Sequence, residues 1–307
     1  MARVSIVIVT HNRAAELLRT VDWTRSLPER PPVVVVDNAS RDESVARLRE
    51  RHPDVRVVQL KENIGAAARN IGARDVATPY IAFCDDDVRW MPGSLARAVE
   101  LLDTHTDVAA LSARVLVGES MREDPACTLM ASSPLTRVGL PGPALLGFLA
   151  GASVFRRDAF FAVGGYEPRF FIGGEERLLA LDLVSSGWHI VYASQLTAHH
   201  CPSPSRDHGR RTRLEVRNAL WNAWLRRPVR SAWRRSLFVL REKGFRIAAL
   251  GALSALRGLP WVLRERRVIP QRVDTLCRLV DAMEHQHRNK RAERVPRLSR
   301  VSRSGAR

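Results

Sequence analysis

Short apolar runs alternate with segments of helical spacing along the N-terminal third of the chain. β-Branched residues dominate the runs, and the segments between them carry apolar residues three and four positions apart. Uninterrupted apolar runs are typical of strands covered on both faces. Strands that alternate with helices predict a mostly parallel, doubly wound, Rossmann-like α/β sheet with right-handed crossovers. The predicted strands are residues 4–9, 32–36, 55–60 and 80–87.

Polar residues stand directly after each of these four runs. Ligands of open α/β sheets bind outside the carboxyl ends of the strands, so the four polar turns should meet along one edge. Arg69, one turn into the third helix, would either reach a diphosphate at that edge or be an ordinary exposed arginine. The polar residues of the turns are Thr10 and Asn12, Asp37 and Asn38, Asn63 and Gly65, and Asp85 and Asp87.

Three consecutive carboxylates, Asp85, Asp86 and Asp87, end the fourth apolar run. Side chains alternate along an extended chain, so we expect Asp85 and Asp87 to point the same way and Asp86 elsewhere. Two converging carboxylates form a hard-oxygen site suited to Mg²⁺ or Mn²⁺, ions that usually also bind phosphate. The alternative is a solvated acidic turn.

The strand and helix pattern continues less regularly after residue 105. Residues 108–117 are a predicted strand, and residues 118–147 contain four prolines and predict a long surface loop of the kind used for binding. Glu175 and Glu176 follow two glycines at a predicted helix start. The helix dipole alone would favour them there, but a carboxylate held beside a glycine-rich loop also describes a general base.

A histidine pair, His199 and His200, follows the last predicted strand and precedes Cys201. No other Cys or His is clustered at ligand spacing, so the pattern does not favour zinc. The four cysteines are scattered without a C-x-x-C pair, which favours a reducing cytosol over a disulfide framework.

The basic charge of the chain is concentrated in its C-terminal third. The 307 residues carry a net charge of +17, and most of the excess lies after Arg206. Trp221, Trp224 and Trp233 stand among arginines, as in helices that lie in a membrane interface. Such helices could equally pack on the catalytic region with solvated arginines. Nucleic acid is not expected, because no binding motif accompanies the charge, and no window has the ~20 consecutive apolar residues of a membrane-spanning helix.

The order of these motifs resembles the catalytic domain of glycosyltransferase family 2, which has the GT-A fold. The motifs are T-H-N-R, V-D-N-A-S, E-N-I-G-A-A-A-R-N-I-G, F-C-D-D-D-V, G-G-Y-E-P-R-F-F, G-E-E and H-H, within roughly residues 3–205. They are similar to those of bacterial rhamnosyl and polysaccharide glycosyltransferases. The resemblance implies inverting transfer of a sugar from a nucleoside diphosphate donor, assisted by Mg²⁺ or Mn²⁺ and without a covalent intermediate.

The resemblance also implies roles for individual residues at the nucleotide and at the metal. Arg69 would lie near the nucleotide and its diphosphate. Asp85 and Asp87 match the outer acids of the family's D-x-D element, with Asp87 the firmer metal ligand and Asp85 nearer the ribose. His200, or His199 as second choice, would complete the metal site. The residues that would hold the base and ribose are Thr10, Asn12, Asp37 and Asn38.

The base motif departs from the family pattern. The family has G-E-D where this chain has Gly174-Glu175-Glu176, so Glu176 stands in the aspartate position with one more methylene. The carboxylate chemistry is retained, because the reference pKa values of Asp and Glu differ by only about 0.4. Glu176 is therefore the expected base, with Glu175 beside it.

These patterns together predict a GT-A catalytic domain over residues 1–205, a basic helical region over 206–288 and a disordered basic tail over 289–307. The expected enzyme uses a UDP- or dTDP-sugar and a lipid-linked or polysaccharide acceptor in cell-envelope synthesis, on the cytoplasmic face of the membrane. One alternative is a non-catalytic, membrane-associated module that binds nucleotide sugars, motivated by Glu176. A sugar-nucleotidyltransferase is a weaker alternative, since residues 10–13 lack the usual glycine-rich phosphate loop.

Overall fold

Buried strands and the helices between them make up most of the structure. The computed structural model describes residues 2–202, 208–242 and 244–294. Within these ranges the strands are β1 (Val4–Thr10), β2 (Val33–Asp37), β3 (Arg56–Gln59), β4 (Tyr80–Asp85), β5 (Val88–Trp90), β6 (Val108–Val117), β7 (Arg122–Glu123), β8 (Ala152–Arg156) and β9 (His189–His200). The helices are α1 (Ala14–Ser26), α2 (Ser44–Arg51), α3 (Ala68–Arg74), α4 (Ser94–Thr104), α5 (Pro125–Ala131), α6 (Arg157–Ala162), α7 (Glu175–Ser185), α8 (His208–Arg226), α9 (Val229–Glu242), α10 (Phe245–Arg257), α11 (Leu259–Arg264) and α12 (Gln271–Arg294).

The strands form one sheet in the order β3-β2-β1-β4-β8-β6-β9-β5, and β7 pairs with β6. Strand β8 runs antiparallel to both of its neighbours, β4 and β6. Strands β3, β2, β1, β4, β6 and β9 consequently all run in one direction, and the predicted mostly parallel α/β sheet is confirmed.

The register of the central strands brings their polar ends level with one another. Thr10 pairs with Asp37 across β1 and β2, and Val9 pairs with Asp85 across β1 and β4. Three of the predicted polar turns therefore open at the same edge of the sheet, as expected for parallel strands.

The apolar runs are buried as their composition predicts. Ile6, Ile8 and Phe83 have no exposed surface, and each such side chain contributes about 1.5–3 kcal/mol by leaving water. Helix α3 lies close against β1 because position 72 is glycine: a Cβ there would come within 2.3 Å of Val7 Cγ1. This close packing fixes the helix that carries Arg69 relative to the polar edge.

The segment predicted as a long loop, residues 118–147, contains strand β7 and helix α5. Asp124 caps α5, and its Oδ1 accepts a hydrogen bond of 2.8 Å from the Ala126 amide. Pro125 occupies the first position of the helix. A proline there removes no helical hydrogen bond and is favourable, so counting it as a helix breaker made the loop prediction wrong for this part.

Ion pairs join the basic C-terminal helices to the sheet domain and to one another. Arg226, at the end of α8, contacts Asp182 of α7. Arg227 is only 4% exposed and contacts Asp274 and Asp281 of α12 at 2.7 and 2.8 Å. The expectation of solvated arginines is therefore wrong for this pair.

The three tryptophans of the basic region differ in their surroundings. Trp221 is 7% exposed, and its Nε1 donates to the Ala255 carbonyl of α10 at 2.9 Å. Trp233 is 55% exposed. Helix α12 continues to Arg294, within the predicted tail, and residues 295–307 lie outside the described residues. No helix in the described ranges has the length and apolarity needed to cross a membrane.

Candidate active site

Arg69 and Asp85 form one side of the polar edge. Arg69 is 7% exposed, its Nη2 donates to Asp85 Oδ1, and its guanidinium carbon lies 5.7 Å from the centre of the Tyr166 ring. Burial alone would lower the pKa of Arg69, but the surrounding acidic groups, Asp85 foremost with Glu175 and Glu176, together outweigh it and the net pKa is raised. Arg69 is therefore a permanent buried cation at the edge.

Asp85 itself reaches the surface of the site. Its side chain is 42% exposed, and it lies directly beside Gly151, where a Cβ would come within 2.5 Å of Asp85 Oδ2. Position 151 must therefore stay glycine for the carboxylate to keep this place.

The other two acids of the triplet group differently from the prediction. Strand β4 ends at Asp85, so the alternation of an extended chain does not continue through Asp86 and Asp87. Both of these carboxylates accept from Arg13 Nη1, at 3.0 and 3.1 Å. The expectation that Asp86 points away from Asp87 is therefore wrong, since both contact Arg13. Asp85 contacts Arg69, and the convergence of Asp85 and Asp87 on one metal ion stays a prediction.

Asp86 is a buried member of this group, and its role is to join strand and helix. Its carboxylate accepts a hydrogen bond of 2.9 Å from Thr10 Oγ1, and its backbone carbonyl accepts one of 2.7 Å from Thr20 Oγ1. Burial raises the pKa of Asp86 to about 6, against the opposing charge of Arg13. Arg13 was not among the predicted site residues, although it ends the T-H-N-R motif.

His200 and Asp87 meet where β5 pairs with β9. Val88 stands opposite His200 in this pairing, and His200 Nε2 lies 3.5 Å from Asp87 Oδ2. His199 Nε2 instead lies 2.9 Å from the Gly118 carbonyl oxygen. Of the two histidines, the geometry thus favours His200 as a partner of Asp87.

The donor set at this point suits a hard divalent cation in part. A carboxylate oxygen and an imidazole nitrogen are ligands that Mn²⁺ accepts, and Mg²⁺ prefers the oxygen. In the described part of the chain, however, no group of three or more His, Cys, Asp or Glu is arranged to hold a metal ion. Asp87 and His200 therefore fit as two ligands, and the remaining ligands would have to come from elsewhere, such as a diphosphate.

The predicted nucleotide-binding residues Asn12 and Asn38 hold the turns to one another. The Asn38 side chain accepts a hydrogen bond of 2.9 Å from the Ile64 amide and donates one of 3.0 Å to the Gly65 carbonyl. Asn12 accepts 2.7 Å from the Arg41 amide. The side chain of each asparagine is therefore engaged in shaping the edge.

Thr10 and Asp37 also lie at this edge, at the ends of β1 and β2. Asp37 has no exposed surface, and both of its carboxylate oxygens lie 3.2 Å from the Ser40 amide, which donates to them. This contact closes a local turn after β2, and α2 begins only at Ser44.

Glu175 and Glu176 begin α7 after two glycines of positive φ. Glu176 Oε2 accepts 3.2 Å from the Gly174 amide, whereas Glu175 is 3% exposed and its Oε2 has no hydrogen-bond partner in the described residues. Burial raises the pKa of Glu175, and the charge of Glu176 raises it further. Burial raises the pKa of Glu176 as well.

The loop in front of these acids is held from behind by α8. Asn218 has no exposed surface, and its Nδ2 lies 2.9, 3.1 and 2.6 Å from the carbonyl oxygens of Phe170, Ile172 and Gly173. Asn222, one turn later, donates 2.7 Å to the Gly174 carbonyl. Neither Asn218 nor Asn222 was among the predicted site residues. They are four residues apart, so they share one face of the helix, and this spacing is the pattern in the sequence that could have indicated them.

The same loop touches the turn after β3. Gly65, with φ of +63°, would place a Cβ 2.0 Å from the Phe171 carbonyl oxygen, and the Ala66 amide donates to that oxygen at 2.6 Å. The glutamate loop is thus fixed between α8 on one side and the polar edge on the other.

Two solved glycosyltransferases identify the fold class. The mannosyltransferase PcManGT from Pyrobaculum calidifontis, in complex with GDP-Man and Mn²⁺, is 20% identical with a TM-score of 0.56, covering 92% of this chain and 86% of its own. GalNAc-T7 with UDP, GalNAc and Mn²⁺ is 18% identical with a TM-score of 0.56, covering 71% of this chain and 48% of its own. At this identity they show the fold alone, and the predicted GT-A fold is confirmed.

The family is shown by sequence. The family model described as Glycosyl transferase family 2 matches residues 5–163, more than half of the chain, and the chain belongs to this family. An N-acetylglucosaminyl-diphospho-decaprenol L-rhamnosyltransferase of Mycobacterium tuberculosis is 26% identical over 279 residues, covering 76% of this chain and 89% of the relative. A pre-mycofactocin glycosyltransferase of the same species is 30% identical over 218 residues, covering 66% and 44%. The predicted enzyme class, a glycosyltransferase, is confirmed.

Proposed function

We propose that this glycosyltransferase moves a sugar from a nucleoside diphosphate donor to a hydroxyl group of a lipid-linked or glycan acceptor, with inversion at the anomeric carbon. The observation that carries this proposal is the position of Arg69. It contacts Asp85 at the polar edge, and the charges of Glu175 and Glu176 act on the same guanidinium. One buried cation therefore interacts electrostatically with both the donor edge and the carboxylate pair.

Glu176 is the proposed general base. Its carboxylate is held by the Gly174 amide, and burial raises its pKa, which strengthens it as a proton acceptor. It takes the proton of the acceptor hydroxyl while that oxygen bonds to the anomeric carbon from the side opposite the phosphate. The bond from the anomeric carbon to the phosphate oxygen breaks, and its electron pair leaves with the nucleoside diphosphate.

Glu175 and the cations support this displacement. Glu175 repels the charge of Glu176, so we expect the pair to share one proton near neutral pH. Asp87 and His200 would hold Mg²⁺ or Mn²⁺, which as a Lewis acid offsets charge on the leaving diphosphate. Arg69 supplies a fixed positive charge to the same group.

The proposed donor and acceptor classes are supported by the residues of the polar edge and by the named relatives. Thr10, Asn12, Asp37 and Asn38 surround the proposed base and ribose site. The mycobacterial relative is named as a rhamnosyltransferase acting on a sugar–diphosphate–decaprenol, which supports a lipid-linked acceptor and makes dTDP- and UDP-sugars the first donors to test. Envelope polysaccharide synthesis at the inner face of the cell membrane is the corresponding proposed setting.

We also propose that residues 1–205 form the catalytic domain and that residues 206–288 complete it. Helix α8 supports the glutamate loop through Asn218 and Asn222. A boundary near residue 205 therefore separates two parts of one active site.

Donor hydrolysis tests the proposal. The purified protein is incubated with UDP-, dTDP- and GDP-sugars, with Mn²⁺ or Mg²⁺ and then with EDTA, and the released nucleoside diphosphate is measured. We expect release from one donor that EDTA abolishes, and Asp87→Ala should remove it. Glu176→Gln should lower acceptor-dependent transfer about 10²–10⁴-fold, the usual contribution of general-base assistance, without weakening nucleotide binding measured by calorimetry.

Two outcomes would contradict the proposal. Nucleotide-sugar binding without release or transfer, unchanged by Glu176→Gln, would indicate the non-catalytic binding module. Formation of a nucleotide sugar from a sugar phosphate and a nucleoside triphosphate would indicate a nucleotidyltransferase. Exposed Val138 gives the control variant Val138→Gln, which should leave release unchanged.

A further inference from the structure

Helix α10 presents an apolar face to solvent. Its buried side is lined by small residues that pack closely on α8: a Cβ at Gly251 would lie 2.5 Å from Val216 Cγ1. The opposite side carries the α10 face, defined as Phe245, Leu250, Leu253 and Leu256. These residues are 88%, 51%, 52% and 62% exposed, and the leucines repeat at intervals of three, so they share one side of the helix.

The helices that pack on α10 add further exposed apolar side chains. Trp233 and Leu237 of α9 are 55% and 47% exposed, and Leu263 of α11 is 55% exposed. Helices α9 and α11 both contact α10. Scattered single leucines on a surface are ordinary, but a concentration on successive helices marks an interaction site.

Positive charge is concentrated in the segment that carries this apolar surface. Glu242 is the only acid between residues 229 and 264, which hold eight lysines and arginines. Within the described residues, ion pairs are absent at five of these arginines. They are Arg230, Arg234, Arg241, Arg246 and Arg257.

We propose that the α10 face docks on an anionic lipid bilayer, with α10 lying in the interface and its leucines among the acyl chains. Leucine and phenylalanine on one face with arginines beside it is the arrangement of interfacial helices, and each arginine near such a surface is attracted to anionic headgroups. The inference deepens the proposed function, since it names the surface through which a lipid-linked acceptor would be reached.

Charge complementarity selects the bilayer over other occupants of the face. A second copy of the chain would bring two arginine-flanked surfaces together, and like charges oppose that contact. Residues 295–307 contain four arginines and no acid, so the same repulsion applies to them. An anionic bilayer satisfies both the apolar area and the charge.

Vesicle sedimentation of the full chain tests the proposal, using phosphatidylglycerol–phosphatidylcholine vesicles and pure phosphatidylcholine vesicles. We expect binding to the anionic vesicles and weaker binding at high salt. Leu253→Glu should weaken binding at least about tenfold, since one leucine loses its burial, and Leu253→Gln should weaken it less. Arg246→Gln should weaken it about fivefold, and on anionic vesicles only.

Val138→Glu is the matched control, because Val138 is 90% exposed on the sheet domain and receives the same chemical change. It should bind as the unaltered chain does. Failure of the unaltered chain to bind anionic vesicles, or an equal loss in Val138→Glu, would overturn the proposal. So would light scattering in which Leu253→Glu converts a dimer to a monomer while vesicle binding is unchanged.

The assay distinguishes this proposal from the proposed reaction. Vesicle binding is measured without donor or acceptor, so Glu176→Gln should bind vesicles normally. Loss of nucleoside diphosphate release with intact vesicle binding concerns the reaction alone, and the reverse result concerns the α10 face alone.

Discussion

Helices α8 and α10 come from the same basic third of the chain, yet they distribute polar and apolar groups in opposite ways. Helix α8 buries polar side chains: Asn218 has no exposed surface, and Asn222 is 6% exposed. Helix α10 exposes apolar ones, with Leu253 52% and Leu256 62% exposed. The two helices pack on each other, so position in the chain does not explain the difference.

The difference teaches which surface each helix serves. A buried amide donor is costly unless it makes a hydrogen bond, and the Nδ2 groups of Asn218 and Asn222 donate to the loop before Glu175 and Glu176. An exposed leucine gains nothing until something covers it. Helix α8 therefore supports the loop of the proposed active site, whereas α10 faces solvent, where we propose that a bilayer covers it.

The largest expected effect within this comparison is at Asn218. Asn218→Ala removes the donor to the carbonyl oxygens of Ile172 and Gly173, at a cost of about 1–3 kcal/mol in the free energy of unfolding. Because these carbonyls belong to the loop before Glu176, we expect kcat to fall about tenfold or more while the donor KM changes little. Steady-state kinetics at saturating acceptor, with a thermal melt on the same sample, measures both.

Asn222→Ala is the graded control for this change. Its side chain donates to only the Gly174 carbonyl, at 2.7 Å, so the loss in kcat should be smaller than for Asn218→Ala. Asn218→Asp keeps the shape of the side chain and removes the donor, and should resemble Asn218→Ala. A destabilised Asn218→Ala protein with unchanged kcat would show that α8 supports the fold and not the reaction.

A second, smaller effect concerns the buried acid pair and pH. Burial raises the pKa of Glu175 above its ordinary value of 4.5, so above that value the folded state holds more protons than the unfolded state. The free energy of unfolding must then fall as pH rises through the raised pKa. Glu175→Gln removes this dependence. From acidic to alkaline pH, the free energy of unfolding of the variant should therefore rise by on the order of 1–3 kcal/mol relative to that of the unaltered chain.

Denaturant unfolding of both proteins across the pH range measures this difference. The gain should grow with pH and be absent below 4.5, where Glu175 is protonated in both states. Parallel stability curves for the two proteins would contradict a buried acid at position 175.

Some parts of the fold and of the candidate site could be predicted from the sequence, and others could not. Strands β1, β2 and β4 and their shared polar edge follow from periodicity, since a buried strand needs an apolar run and parallel strands end together. The pairing of His200 with Asp87 was predicted only through the family resemblance, because it depends on β5 and β9, whose paired residues are 108 or more positions apart along the chain. No local pattern encodes such a contact.

Other parts of the site could not be predicted for identifiable physical reasons. Asp86 and Asp87 share Arg13 because the strand stops at Asp85. The alternation of side chains along a strand does not apply to residues that follow its end. Asn218 lies in a segment rich in tryptophan and arginine, a composition that indicates a membrane interface. Its contact with the loop depends on the burial of one side of α8, which that composition does not indicate. The sequence pattern records which side chains are polar, and only the packing shows which polar side chains are buried.

The smallest expected effect is the one that most sharply separates the two helices. Leu253→Glu replaces a half-exposed leucine on the outer side of α10, and surface substitutions away from buried features usually change the free energy of unfolding by less than about 0.5 kcal/mol. With a soluble donor and a short, water-soluble acceptor analogue, kcat and the melting temperature should both match those of the unaltered chain. Steady-state assays and thermal melts run beside Asn218→Ala measure this. A loss of kcat in Leu253→Glu comparable to that in Asn218→Ala would mean that α10 communicates with the glutamate loop through α8, and the division of labour between the helices would fail.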